Sequence, residues 1–110
     1  MDVTVREERG CLVAAVEGRL DSVNAAEFEQ KIGGLIHGEP RNIVLDLSGL
    51  KFIGSAGLRS ILTISRVTKE AGGALALCGL AGLPREIFQL SHFDTIFTLH
   101  AGVEDAVKNF

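Results

Sequence analysis

The chain has 110 residues, 46% of them apolar, enough for one hydrophobic core and too few for two. Its 11 basic and 14 acidic side chains leave a formal charge of −3 without any run of Lys or Arg. That argues against nucleic acid and against an anionic membrane surface, because phosphate neutralisation needs clustered cations. No apolar window reaches the length of a membrane span, and the opening Met1-Asp2-Val3-Thr4-Val5-Arg6 lacks the apolar core of a signal peptide, so a cytoplasmic protein is expected.

In chain order, Val3 and Val5 alternate with Thr4 and Arg6, the pattern of a half-exposed strand. Glu8-Arg9-Gly10 reads as a turn, and residues 11–16 as a strand apolar on both faces, giving a hairpin whose first strand lies at an edge. Gly18-Arg19-Leu20-Asp21 is expected to leave the sheet. Asn24, with Glu27 three residues on, has the form of a capping box. Phe28, Ile32, Leu35 and Ile36 then form one apolar stripe, and Gly38 and Pro40 end that helix.

Residues 43–47 read as a buried strand closed by Ser48 and Gly49. A second helix opens near Ser55, with Leu58, Ile61, Leu62 and Ile64 apolar and Arg59, Ser60, Thr63, Arg66 and Lys69 on the other face. It stops near Gly72-Gly73. Residues 74–78 give another buried strand, and Pro84 sits in the first turn of a helix carrying Ile87, Phe88 and Leu90. Residues 95–99 are predicted as a last strand and 103–107 as a short terminal helix. Alternating strands and helices imply an α/β fold over residues 1–110: a mainly parallel sheet with an N-terminal antiparallel edge strand, covered by about four helices.

Cys11 and Cys78 lie far apart inside apolar runs and read as buried thiols rather than a disulfide or a metal site. His37, His92 and His100 share no metal-ligand spacing with each other or with a cysteine. Neither glycine-rich nucleotide fingerprint is present. No cofactor is therefore expected. Asp46 is the one acid inside an apolar strand, a setting more typical of a structural hydrogen-bonder than of a catalyst.

The most informative stretch is Phe52-Ile53-Gly54-Ser55-Ala56-Gly57-Leu58. Ser55 sits where a helix N-cap belongs, among small residues that leave its hydroxyl uncovered. Such a corner offers free N–H groups and the positive end of a helix dipole, so it tolerates an anion. Ser55 reads as a simple cap or as a reversibly phosphorylated site, and the local sequence does not choose between them. A nucleophile is disfavoured, because Ile53 stands where the nucleophile elbow needs its first Gly.

Two separated segments carry a resemblance. Gly18-Arg19-Leu20-Asp21, and Val44-Leu45-Asp46-Leu47-Ser48 through Gly54-Ser55-Ala56-Gly57-Leu58, look like those of a STAS domain, more narrowly of the bacterial anti-sigma factor antagonists. The similarity covers nearly the whole chain. It implies a partner-switching protein that is not an enzyme. Unphosphorylated, such a protein binds an anti-sigma factor serine/threonine-protein kinase and so frees the sigma factor; phosphorylation blocks that binding, and a PP2C-type phosphatase resets it.

Carried over by position, the resemblance makes Ser55 the phosphoacceptor, places Asp21 beside it, and puts Asp46 on the strand before the turn. Asp21, Ser22, Gly54, Ala56, Gly57, Leu58 and Arg59 would form the partner surface. The chain departs from the pattern at Gly54, where Asp is most frequent, and at Ala56, where Ser or Thr is frequent, so one hydroxyl remains in the motif. The alternative keeps the fold and drops the switch: a STAS binding subunit of a transport or lipid-trafficking complex, its serine never modified.

Overall fold

The computed structural model describes residues 1–36 and 39–110. His37 and the predicted helix stop at Gly38 lie outside the described residues. Strand β1 (Asp2–Glu8) and β2 (Cys11–Leu20) form an antiparallel hairpin, followed by helix α1 (Ala25–Gly33). Next come β3 (Asn42–Asp46), β4 (Leu50–Ile53), α2 (Ser55–Glu70) and β5 (Ala74–Cys78). Helix α3 (Gly82–Leu90), β6 (Leu99–His100) and α4 (Val103–Lys108) complete the fold. The sheet runs β1-β2-β3-β5-β6, with every pair after the hairpin parallel. Arg9 and Gly10 both take positive φ, 51° and 78°, which makes the hairpin loop a type I′ turn matched to strand twist.

Alternation along the strands divides the sheet into two faces. Leu12, Ala14, Val16, Ile43, Leu45 and Leu77 face the main core, where Phe28 and Ile32 of α1, Ile61 and Ile64 of α2, and Phe88 of α3 close over them. Val13, Val44, Ala76 and Cys78 face the other way and are covered by Ala106, Val103 and Val107 of α4.

Several sequence expectations are corrected. Gly18-Arg19-Leu20 does not leave the sheet; β2 runs on through it and pairs with β4, a strand the sequence did not reveal. The pairing shifts register between Gly18 and Arg19, where Gly18 has φ of +92°. β2 is thus long enough to serve β3 with its first half and β4 with its second. In place of the predicted strand over 95–99, Thr95 closes a 3-10 turn (Phe93–Thr95), 96–98 are irregular, and only Leu99 and His100 pair with β5. Phe93 and Phe97 turn inward at helical spacing, Phe93 meeting Phe88 edge-on at 5.5 Å, so packing of the rings overrides strand propensity.

The capping box is absent as well: Asn24 precedes α1 but makes no side-chain cap bond, and Glu27 pairs with Lys31 at 4.0 Å. On α2, Ser60 and Thr68 are fully buried, Ser60 against the expectation of a polar face. Their hydroxyls donate to Ala56 O (3.0 Å) and Ile64 O (2.7 Å) within the helix, which satisfies them locally. Leu62 and Leu90 are exposed instead of packed.

Candidate functional site: the corner between β4 and α2

Gly54 is pinned from both sides. Its N–H donates to Leu20 O of β2 (2.9 Å), and its carbonyl accepts from Leu58 N–H (3.0 Å), the first bond of α2. Gly54 is therefore the N-cap, with extended backbone, and Ser55 is the first helical residue; the expectation of Ser55 as the cap is corrected. With that bond made by Gly54, the Ser55 hydroxyl is exposed and has no capping duty. The N–H groups of the first turn lack intrahelical acceptors, and no side chain caps them.

The helix can start here because Gly57 has no side chain. A Cβ at that position would lie 2.8 Å from both Leu20 O and Ile53 Cγ1, so α2 crosses the end of β2 at backbone contact. Gly57 and Leu58 are buried and face the core. They set the height of the helix, whereas Ser22, Ser55 and Arg59 are exposed and Gly54, Ala56 and Asp21 partly so.

Asp21 follows β2 and is held by its own turn. Its Oδ1 accepts from Val23 N–H (3.0 Å), and its N–H donates to Asn24 Oδ1 (3.0 Å), while Asn24 Nδ2 donates to Arg19 O (2.9 Å). Its Oδ2 lies 3.7 Å from Arg19 Nε. The guanidinium of Arg19 in turn sits 4.3 Å from the centre of the Phe52 ring, a cation–π distance. A Cβ on Gly54 would lie 3.9 Å from Asp21 and 3.5 Å from Phe52. The β2–β4 pairing thus brings the two motif segments together, with Asp21, Gly54 and Ser55 at one corner. Sequence reasoning missed three participants: Arg19, Phe52, and Val23, which stands 91% exposed beside Asp21. The available signal for Val23 was a lone apolar residue inside a polar turn.

A family model of the STAS domain matches residues 2–106. The chain belongs to the STAS domain family. It is 34% identical over all of its length, and over 95% of the relative, to BtrV of Bordetella bronchiseptica, provisionally named an anti-sigma factor antagonist. It is 32% identical to the anti-sigma-F factor antagonist RsfB of Mycobacterium tuberculosis, with 96% of this chain and 85% of the relative covered. The crystal structure of an anti-sigma factor antagonist from Mycobacterium paratuberculosis superposes with a TM-score of 0.86 at 28% identity, over 97% of this chain and 91% of that one.

Elsewhere in this STAS domain, Asp46 is structural: its Oδ1 accepts from Ser48 N–H (3.1 Å) and shapes the turn from β3 to β4. Burial pushes the Cys78 thiol up to about 11, helped by the neighbouring Asp46 charge, and burial raises Cys11 too. A cavity of about 620 Å³ lies by the far end of α2, among Lys69, Leu75, Phe97 and His100, and includes neither Ser55 nor Asp21. At the corner itself Ser22, Ser55 and Arg59 are exposed. Among the described residues, no group of three or more His, Cys, Asp or Glu side chains is placed to hold a metal ion, and no helix is long and apolar enough to cross a membrane.

Proposed function

We propose that this STAS domain is an anti-sigma factor antagonist working by partner switching. Its unphosphorylated form binds an anti-sigma factor serine/threonine-protein kinase and releases the sigma factor. Phosphorylation of Ser55 blocks that binding, and a PP2C-type phosphatase restores it. The observation that carries the reading is the exposed Ser55 hydroxyl, free of capping duty at the head of α2. The names of the relatives at 34% and 32% identity support the same reading.

Magnitudes decide how the switch acts. A phosphoserine adds about −1.5 to −2 charge. At the head of a helix the dipole and free N–H groups favour that charge by roughly 0.3–1 kcal/mol, so the fold tolerates it. At an interface the same dianion must lose its water beside Asp21, a penalty of about 3–4 kcal/mol. That weakens binding by roughly two to three decades. The interface effect wins.

The test is incubation with the cognate kinase and ATP, followed by intact mass and binding measurements. One added phosphate, absent in Ser55→Ala, is expected. Ser55→Asp is expected to bind about a hundredfold more weakly than Ser55→Ala, with both variants melting close to the parent. Equal affinities in two folded variants, or a phosphate that persists in Ser55→Ala, would overturn the mechanism.

A further inference from the structure

We propose that Arg19 is the internal partner of a phosphate on Ser55, releasing Asp21 when the serine is modified. The inference rests on Ser55 being the phosphoacceptor and adds the means by which the domain senses the mark. Arg19 is held loosely where it stands. Its single contact with Asp21 is 3.7 Å long, and the two side chains are 63% and 26% exposed. Exposed pairs of that kind contribute little. The Phe52 ring, 4.3 Å below the guanidinium, keeps the group at the corner without neutralising it. Phe52 also borders Gly54, the chain neighbour of Ser55.

A phosphate dianion there would carry more charge than the Asp21 carboxylate and would offer the guanidinium several oxygens for paired N–H donation. Gly54 matters to this exchange. Any side chain at 54 starts 3.9 Å from Asp21 and 3.5 Å from Phe52; a carboxylate there would be a second acid competing for Arg19. With glycine, Asp21 is the acid that the phosphate has to displace. The charged residues on the elements that meet at the corner are Glu17 and Arg19 of β2, Asp21 after it, Glu27, Glu29 and Lys31 of α1, Lys51 of β4, and on α2 Arg59 in the turn after Ser55, with Arg66, Lys69 and Glu70 further along the helix. Glu27 lies 4.0 Å from Lys31 on its own helix, and the joined cluster is Arg19, Asp21 and Phe52. The exchange leaves the Asp21 carboxylate unpaired beside a new anion, so the partner meets two acids where it had met a neutral pair.

The test uses the full chain with phosphoserine incorporated at position 55 during synthesis, so that it does not depend on a kinase. The phosphate is titrated by 31P NMR. Phosphoserine ordinarily titrates near about 6, and the parent is expected to fall below that. Arg19→Gln should raise the midpoint by about half a pH unit, Arg19→Lys should keep part of the effect, and 0.5 M salt should shrink it, as about 3–5 Å screening requires. Asp21→Asn should lower the midpoint, and should do so by less once Arg19 is already Gln. Melting curves establish that each variant is folded. Identical midpoints in the parent and Arg19→Gln, or effects at 19 and 21 that simply add, would overturn the exchange. Failure of the kinase to modify Ser55 would sink the functional reading instead and leave this titration unchanged.

Discussion

Two glycines three residues apart have opposite tolerances. At Gly57 an added methyl group meets Leu20 O, a backbone atom, at 2.8 Å, and the helix must lift off the end of β2. At Gly54 the backbone is extended, with φ −97°, and an added methyl reaches ordinary contact distance. Gly57→Ala is therefore expected to lower stability by about 1–3 kcal/mol, and Gly54→Ala, a poorer N-cap that meets no clash, by less than about 1 kcal/mol. Urea denaturation of the two variants checks the contrast. Similar losses would mean that the close approach of α2 to β2 is wrong. Any fall in partner binding by Gly57→Ala must accordingly be corrected for lost fold, whereas Gly54 can be probed as surface.

At the scale of elements, α2 is stopped and β5 started by close backbone contact. α2 ends in a Schellman-type turn: Gly73 N–H donates to Thr68 O (3.0 Å) and Gly72 N–H to Lys69 O (3.0 Å), with Gly72 at φ +93°. The next residue must then enter β5 directly. A Cβ on Gly73 would collide with the carbonyl of Arg41 at 1.8 Å, which leads into β3. Gly73→Ala is expected to cost about 3 kcal/mol or more, since the two strand entries would have to part; a thermal melt against the parent measures it. An unchanged melting temperature would show that β3 and β5 are not joined this tightly at their start.

Over the whole molecule, the sheet separates a thick layer of three helices from a thin one made by α4. Cys78 lies in the thin layer, under α4, with its thiol pushed up from 9.0 to about 11 by burial and by Asp46. Below pH 9 the thiol is protonated in both folded and unfolded chains, and its contribution is fully present. Between pH 9 and about 11 the unfolded chain ionises first, so stability falls as pH rises. Cys11 acts in the same direction. The chain has no Tyr, so no phenol titrates in that window. Denaturant midpoints at steps across that window should fall more steeply for the parent than for Cys78→Ala. Parallel curves would mean that Cys78 is wetter than its place in the sheet implies.

What the sequence by itself determined is the hairpin, the buried strands β3 and β5, the helix that opens at Ser55 and the family motif around it. Each is written in periodicity, in turn residues or in a short contiguous pattern. Tertiary structure decided the rest. Ser55 lost its capping duty to Gly54 because Leu20 O fixes the Gly54 backbone, a contact between residues far apart in the chain. Phe97 left the strand because Phe93 and Phe88 wait across the core, and Gly57 is buried because β2 runs under α2. Above all, β2 outlasted its apparent end at Gly18-Arg19-Leu20 only because β4 arrives to pair with it. Strand pairing is a property of two segments together, and neither segment's sequence reports it alone. That same pairing sets Asp21 beside Gly54 and Arg19 over the Phe52 ring, so the candidate site exists only once the sheet has formed.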